Sequence, residues 1–259
     1  MVVSISRIHQ HFGFLGAIRP GVILLALGGL FALTNPRSLS LEGVSTRPAR
    51  IAAAIVARAC VSVTFGRSMG NSSKFLLDAY FRMLAVYLLV LMAIRGPKDL
   101  SHFVWAFVIA VGILAWMAIF VFSLGGGSGG MMRLGDMYMY DANDLGVFLL
   151  VGIPLSLVVW DMSGRVGRVF AAILLGAIGI ALARSGSRGA FVGFVSLAAA
   201  FLISASHIDL VKRLVAVGVI LLGLVLAAPP GYWDQMKSLQ NPQDDYNWSD
   251  ETGRRQLAK

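Results

Sequence analysis

Residues 141–206 read DANDLGVFLLVGIPLSLVVWDMSGRVGRVFAAILLGAIGIALARSGSRGAFVGFVSLAAAFLISAS. Three apolar runs, 144–161, 168–184 and 189–206, follow one another with only the breaks 161–168 and 184–189 between them. A helix needs about 20 apolar residues to cross a bilayer, and breaks this short leave room for little more than a reversal. The third run is rich in Gly, Ala and Ser, which lets neighbouring helices approach closely. Outward from this stretch the pattern repeats at 75–95, 101–124 and 213–229, and again at 15–34, where Arg19-Pro20 lies near the start. The run 51–65 is shorter and carries Arg58 in its middle, so it is expected to be a tilted or interfacial helix. The fold expected is all-α: a polytopic transmembrane helical bundle of about 7–8 spans, counted by length. Its regions are an N-terminal membrane part with one or two spans (1–74), a core bundle (75–229), and the beginning of an extramembrane loop domain (230–259).

Composition agrees with a lipid solvent. The chain is 57% hydrophobic and 14% charged, whereas soluble domains are about a quarter charged. Cys60 is the single cysteine and the four histidines have no ligand spacing, so neither a disulfide framework nor a bound metal is expected, and no cofactor. Met1 to Gln10 lack the apolar core and cleavage site of a secretory signal, so the first apolar segment is expected to stay in place. The formal charge is +9, but a nucleic-acid binder gathers its basic residues on one tract. Here they punctuate apolar runs, as loop charges of a membrane protein do, and nucleic acid is not an expected partner.

Because spans alternate in direction, the breaks fall into two sets, and each set holds nine Lys and Arg residues. The rule that cytoplasmic loops are the more basic therefore does not orient the chain. Basic residues on the outer face need another reason, and an anion would supply one.

Several breaks carry chemistry. Arg184-Ser185-Gly186-Ser187-Arg188-Gly189 sets two arginines around a serine that can cap the next helix. Guanidinium forks match phosphate oxygens and a helix start favours anions, so this break can hold a diphosphate. Two interfacial arginines around an N-cap would have the same sequence. Tyr138 to Asp144 leads into a span; Asn143 or Asp144 is expected to cap it, or Asp141 and Asn143 to bind a sugar or orient an arginine. Gly125 to Gly130 lacks the Lys-Ser/Thr that closes a P-loop and reads as a flexible connector. Asp78 and Arg82, four apart, are expected to pair along one helix. Asp250 to Arg255 offers a second supply of arginine.

Taken together and in order, these motifs resemble the O-antigen ligase and Wzy-type polymerase superfamily of envelope glycosyltransferases. Asp141-Ala142-Asn143-Asp144 before Ile153-Pro154-Leu155 resembles that family's D-x-N-D opening of a span followed by a proline. Ser187-Arg188-Gly189 resembles its S-R-G motif, and Gly253-Arg254 the Gly-Arg pair of its large periplasmic loop. The Arg19-Pro20 start is similar to a subgroup associated with exosortase-type export. The resemblance covers roughly residues 70–259. It implies transfer of a glycan from an undecaprenyl-diphosphate carrier to an acceptor hydroxyl on a glycolipid, polysaccharide or protein, at the periplasmic face of a bacterial inner membrane, without a metal. By the same resemblance Arg188 and Arg254 would bind the diphosphate, with Arg255 as the register alternative and Arg184 beside them. Ser187, Gly189, Asp141, Asn143 and Asp144 would support them.

One departure from the family stands out. Its catalytic histidine lies further along the loop, while here no histidine follows His207, so no general base is assigned. The chain is accordingly expected to be part of a longer protein and inactive alone. The alternative function is a multi-span transporter or flippase subunit for lipid-linked sugars, which would want broken helices and charges near mid-bilayer.

Overall fold

A computed structural model of the chain describes residues 2–18, 20–35, 46–65, 69–76, 80–126, 132–135, 137, 141–205 and 208–240. Among the described residues the structure is helical, apart from one pair of short antiparallel strands and the connecting turns. In order come α1 (Val2–Ser6), a 3-10 turn (Ile8–Gln10), α2 (Gly13–Ile18), α3 (Pro20–Thr34), α4 (Arg47–Thr64), α5 (Met69–Phe75), α6 (Phe81–Ala93) and α7 (Pro97–Phe120). There follow β1 (Leu124–Gly126), β2 (Met132–Leu134), α8 (Ala142–Met162), α9 (Arg165–Ser185), α10 (Arg188–Ser204), α11 (Leu210–Leu226) and α12 (Tyr232–Lys237). Helices α7, α8 and α9 are each long and apolar enough to cross a membrane, while α3, the 83–93 part of α6, and α10 are apolar but shorter.

The chain divides into two compact units, His11–Phe103 and Met1–Gln10 with Val104–Lys259. In the first, α3 packs on α6 and α4 on α5. Helix α4 is sharply two-sided: Ala49, Ala52, Val56, Ala59 and Val63 share its more buried face, while Arg47, Arg50 and Arg58 are exposed. Within the expected run 75–95, Phe75 ends α5 and Phe81–Ala93 form α6, and residues 77–79 between them lie outside the description. Asp78, and with it the expected pair with Arg82, lies outside the described residues.

The second unit holds the main core. From Val104 onward, α7 runs parallel to α9. The Trp105 and Phe170 rings stack at 5.9 Å at one end, and at the other Arg184 of α9 reaches the carbonyl of Ala118 in α7. Helix α8 packs against both in the opposite sense. A Cβ placed on its Gly152 would sit 2.7 Å from a methyl of Val111 in α7, so any other residue there would force Val111 to shift. Proline at position 154 removes one helical N–H without ending α8, and the nearby Ser156 hydroxyl donates to the Gly152 carbonyl at 2.7 Å.

Helix α9 also packs along α11, at a crossing where backbone meets backbone. A Cβ on Gly179 would lie 2.1 Å from the Ile220 carbonyl oxygen, and one on Gly223 2.6 Å from that of Gly176. Without a hydrophobic drive between helices in lipid, such close approach supplies van der Waals contact. Of the segment expected as a flexible connector, Gly125 and Gly126 end the strand β1, which pairs antiparallel with β2 so that Leu124 faces Leu134. Leu134 and, beyond it, Met137 are buried in the core. Residues 127–131 between the strands lie outside the description.

Candidate functional site

The directions of α7 to α10 bring four helix ends together at one end of this unit. There the C-termini of α7 and α9 meet the N-termini of α8 and α10, and α12 packs against α10. Helix α9 ends on Gly186, whose left-handed backbone (φ 60°) lets its N–H return to the Ala183 carbonyl at 3.1 Å. Only Gly186 and Ser187 separate α9 from α10. Two serines close this turn from inside: Ser185 donates to the Leu182 carbonyl at 2.7 Å and accepts from Ser187 N–H at 3.3 Å.

Ser187 is the N-cap of α10. Its Oγ accepts from Ala190 N–H at 3.1 Å and donates to Asn143 Oδ1 at 2.6 Å. Asn143 thus ties the start of α8 to the start of α10. Beneath that bond, a Cβ on Gly146 of α8 would lie 2.5 Å from that of Ala190. Gly189 is exposed, and a Cβ there would meet Ser187 Oγ and Asn143 Oδ1 at ordinary contact distances, 3.7 and 3.8 Å.

The cap of α8 is Asp141, where the sequence pointed to Asn143 or Asp144. Asp141 Oδ1 accepts from Asn143 N–H at 2.7 Å and Asp144 N–H at 2.8 Å, and Asp144 Oδ2 accepts from Asp141 N–H at 3.4 Å. This reciprocal box outcompetes the other register because it satisfies donors at both ends of the first turn. It also places two carboxylates on the positive end of α8. Helix α10 has no acid in its first turn. Of the two neighbouring helix starts, α10 is therefore the one whose dipole is not already countered by carboxylates.

The two arginines of the break part company. Arg184 turns inward to the C-terminus of α7, where Nε donates to the Ala118 carbonyl at 2.8 Å and Nη2 to that of Phe122 at 3.2 Å. Its fork holds helix carbonyls, not an outward anion site. Arg188, half-buried, points the other way, and its Nη1 donates to Ser238 Oγ at 3.2 Å just past α12. Arg254 and Arg255, and Tyr138 to Tyr140, lie outside the described residues.

Sequence reasoning missed what holds α12 over Arg188. Tyr232 is buried, its ring edge-on to Phe191 at 6.4 Å, and Trp233 meets Phe191 at 6.5 Å and Tyr232 at 5.1 Å. Phe191 lies one turn beyond Arg188, so this cluster fixes α12 beside the guanidinium. Burial pushes the Tyr232 phenol up from 10.0 to about 12. The available signal was Pro229-Pro230-Gly231 before two aromatics, a helix stop and a left-handed turn (Gly231 φ 79°) leading into an interfacial pair.

Fold and site together define a helical membrane protein with a polar, arginine-bearing end. Compared with models of protein families, with curated proteins and with solved structures, the chain matches none.

Proposed function

We propose that this protein is a membrane glycosyltransferase of the O-antigen ligase or polymerase kind. It moves a glycan from an undecaprenyl-diphosphate carrier to an acceptor hydroxyl at the periplasmic face of a bacterial inner membrane. In this reading α3, α6, α10 and α11 join α7, α8 and α9 as spans, giving seven, and a crossing α4 would make eight. The observation that carries it is Arg188, at the acid-free start of α10 and flanked by an N-cap tied to α8. A fixed cation at a helix start stabilises the charge that develops on a departing diphosphate, because it needs no reorganisation as the bond breaks. Asn143 and Ser187 position that helix start, and Asp141 and Asp144 hold Asn143 in place through the first turn of α8. Arg254 or Arg255 would supply a second cation. Arg184 acts as a structural clamp. The transporter alternative has less support, since α8 runs unbroken through Pro154 and the charges of this unit gather at helix ends.

The test is binding of undecaprenyl diphosphate, and glycan transfer, by the protein in bilayer discs. Arg188→Ala and Arg188→Lys are both expected to weaken binding at least tenfold at unchanged membrane level, because a lysine cannot reproduce a bidentate fork. Binding that survives Arg188→Ala would remove the assigned site.

A further inference from the structure

The opposite end of the same unit holds a second cluster of polar groups, which the transfer reading does not use. There α8 and α10 end and α9 and α11 begin, around a cavity of about 180 Å³. Its wall is apolar, with Leu175, Phe201 and Val219 among the side chains, and its rim carries Trp160, Asp161 and Lys212. A second, smaller apolar cavity shares Leu157, Phe201 and Ala216 with it and continues toward Phe194 and Ile220. From Val211 to Val219 the larger cavity lines eight residues' rise of α11, about 12 Å along the axis. An apolar slot of this depth, entered at the level where the helices end, has the form of a site for one acyl chain.

The rim says which lipid. Asp161 and Lys212 are both exposed, on different helices, and among the described residues neither forms an ion pair. The arginines at this end do not line the opening: Arg165 and Arg168 are exposed beside it, Arg168 Nε donating to the Trp160 carbonyl at 3.4 Å, and Arg213 Nη1 donates to the Leu202 carbonyl. One anion and one cation facing the same opening complement a headgroup that carries both charges. A phosphate would meet Lys212 and a primary ammonium Asp161, with the Trp160 indole at the interface level it favours. We propose that this cavity binds a single phospholipid of the surrounding bilayer with an ethanolamine headgroup, its acyl chain in the slot between α8, α9, α10 and α11. The inference is independent of the glycosyltransferase reading and needs only that the helices lie in lipid.

Intact-protein mass measurement of the whole chain, released from discs of equal phosphatidylethanolamine, phosphatidylcholine and phosphatidylglycerol, tests it. One retained phosphatidylethanolamine is expected, favoured about fivefold over the other two, the effect of one exposed charge pair. Asp161→Asn should abolish that preference while leaving the helices and the cavity intact. Ala172→Phe, whose ring would fill the slot, should displace the lipid altogether. Equal retention of the three lipids, preference for phosphatidylglycerol, or an unchanged preference in Asp161→Asn would each overturn the proposal.

Discussion

Arg184 and Arg188 sit four residues apart and do opposite things. Arg184 donates two charge-assisted hydrogen bonds to carbonyls at the end of α7, where free C=O groups and the negative end of the dipole favour a cation. Hydrogen bonds to charged groups contribute more than neutral ones, so Arg184→Ala is expected to destabilise the protein by about 2–3 kcal/mol. Diphosphate affinity per folded molecule should stay the same. Thermal unfolding in detergent, run beside the lipid-binding assay, separates the two arginines. Weakened binding in Arg184→Ala at full stability would return this residue to the anion site.

Among the elements, the crossing of α9 and α11 is the least tolerant. Backbone atoms occupy the space a side chain would need at Gly179, and backbone cannot rotate away as a side-chain tip can. Gly179→Ala should therefore cost about 3 kcal/mol or prevent assembly. Gly218→Ala, with open space around its Cβ, should be neutral or slightly stabilising through helix propensity. Equal unfolding midpoints for the two variants would mean that the helices do not cross as described. Helix α12 is held differently, by rings and by one phenol kept neutral. Unfolded tyrosine titrates near 10, whereas burial holds Tyr232 near 12. The folded form thus favours the protonated state, and this contribution is complete below pH 10 and falls away as pH rises from 10 to 12. Trp233 fluorescence should report loosening of α12 in that window, and Tyr232→Phe should remove the transition. An identical alkaline change in the variant would exclude Tyr232 as its cause.

At the scale of the whole molecule, α7 to α11 alternate in direction, so the turn at 184–189 and α12 lie at one end of their unit and the 163–164 link at the other. In a sealed membrane this becomes a statement about sidedness. With Cys60 replaced by serine, Lys237→Cys and Gly164→Cys should react with a membrane-impermeant maleimide from opposite faces of oriented vesicles. Both positions are exposed, so labelling of the two from the same face would contradict a transmembrane bundle. Lysine and arginine divide evenly between the two sets of breaks, which is why this measurement, and not charge counting, assigns the outer face.

By itself the sequence determined the helical fold, the breaks at 161–168 and 184–189 where α8, α9 and α10 turn, and the capping of α10 by Ser187. These depend on apolar run length and on groups that find partners within four residues along the chain. The same local logic reached the polar start of α8 but not its register, because Asp141, Asn143 and Asp144 all suit a cap and the reciprocal box decides between them. Only the tertiary structure distinguished the two arginines, since Arg184 finds its carbonyls 66 and 62 residues away. The same holds for the Asn143–Ser187 bond across 44 residues and for the rings that seat α12. Such contacts exist only once particular helix ends arrive together, and that arrival is set by close backbone packing at glycines whose neighbours no local pattern names.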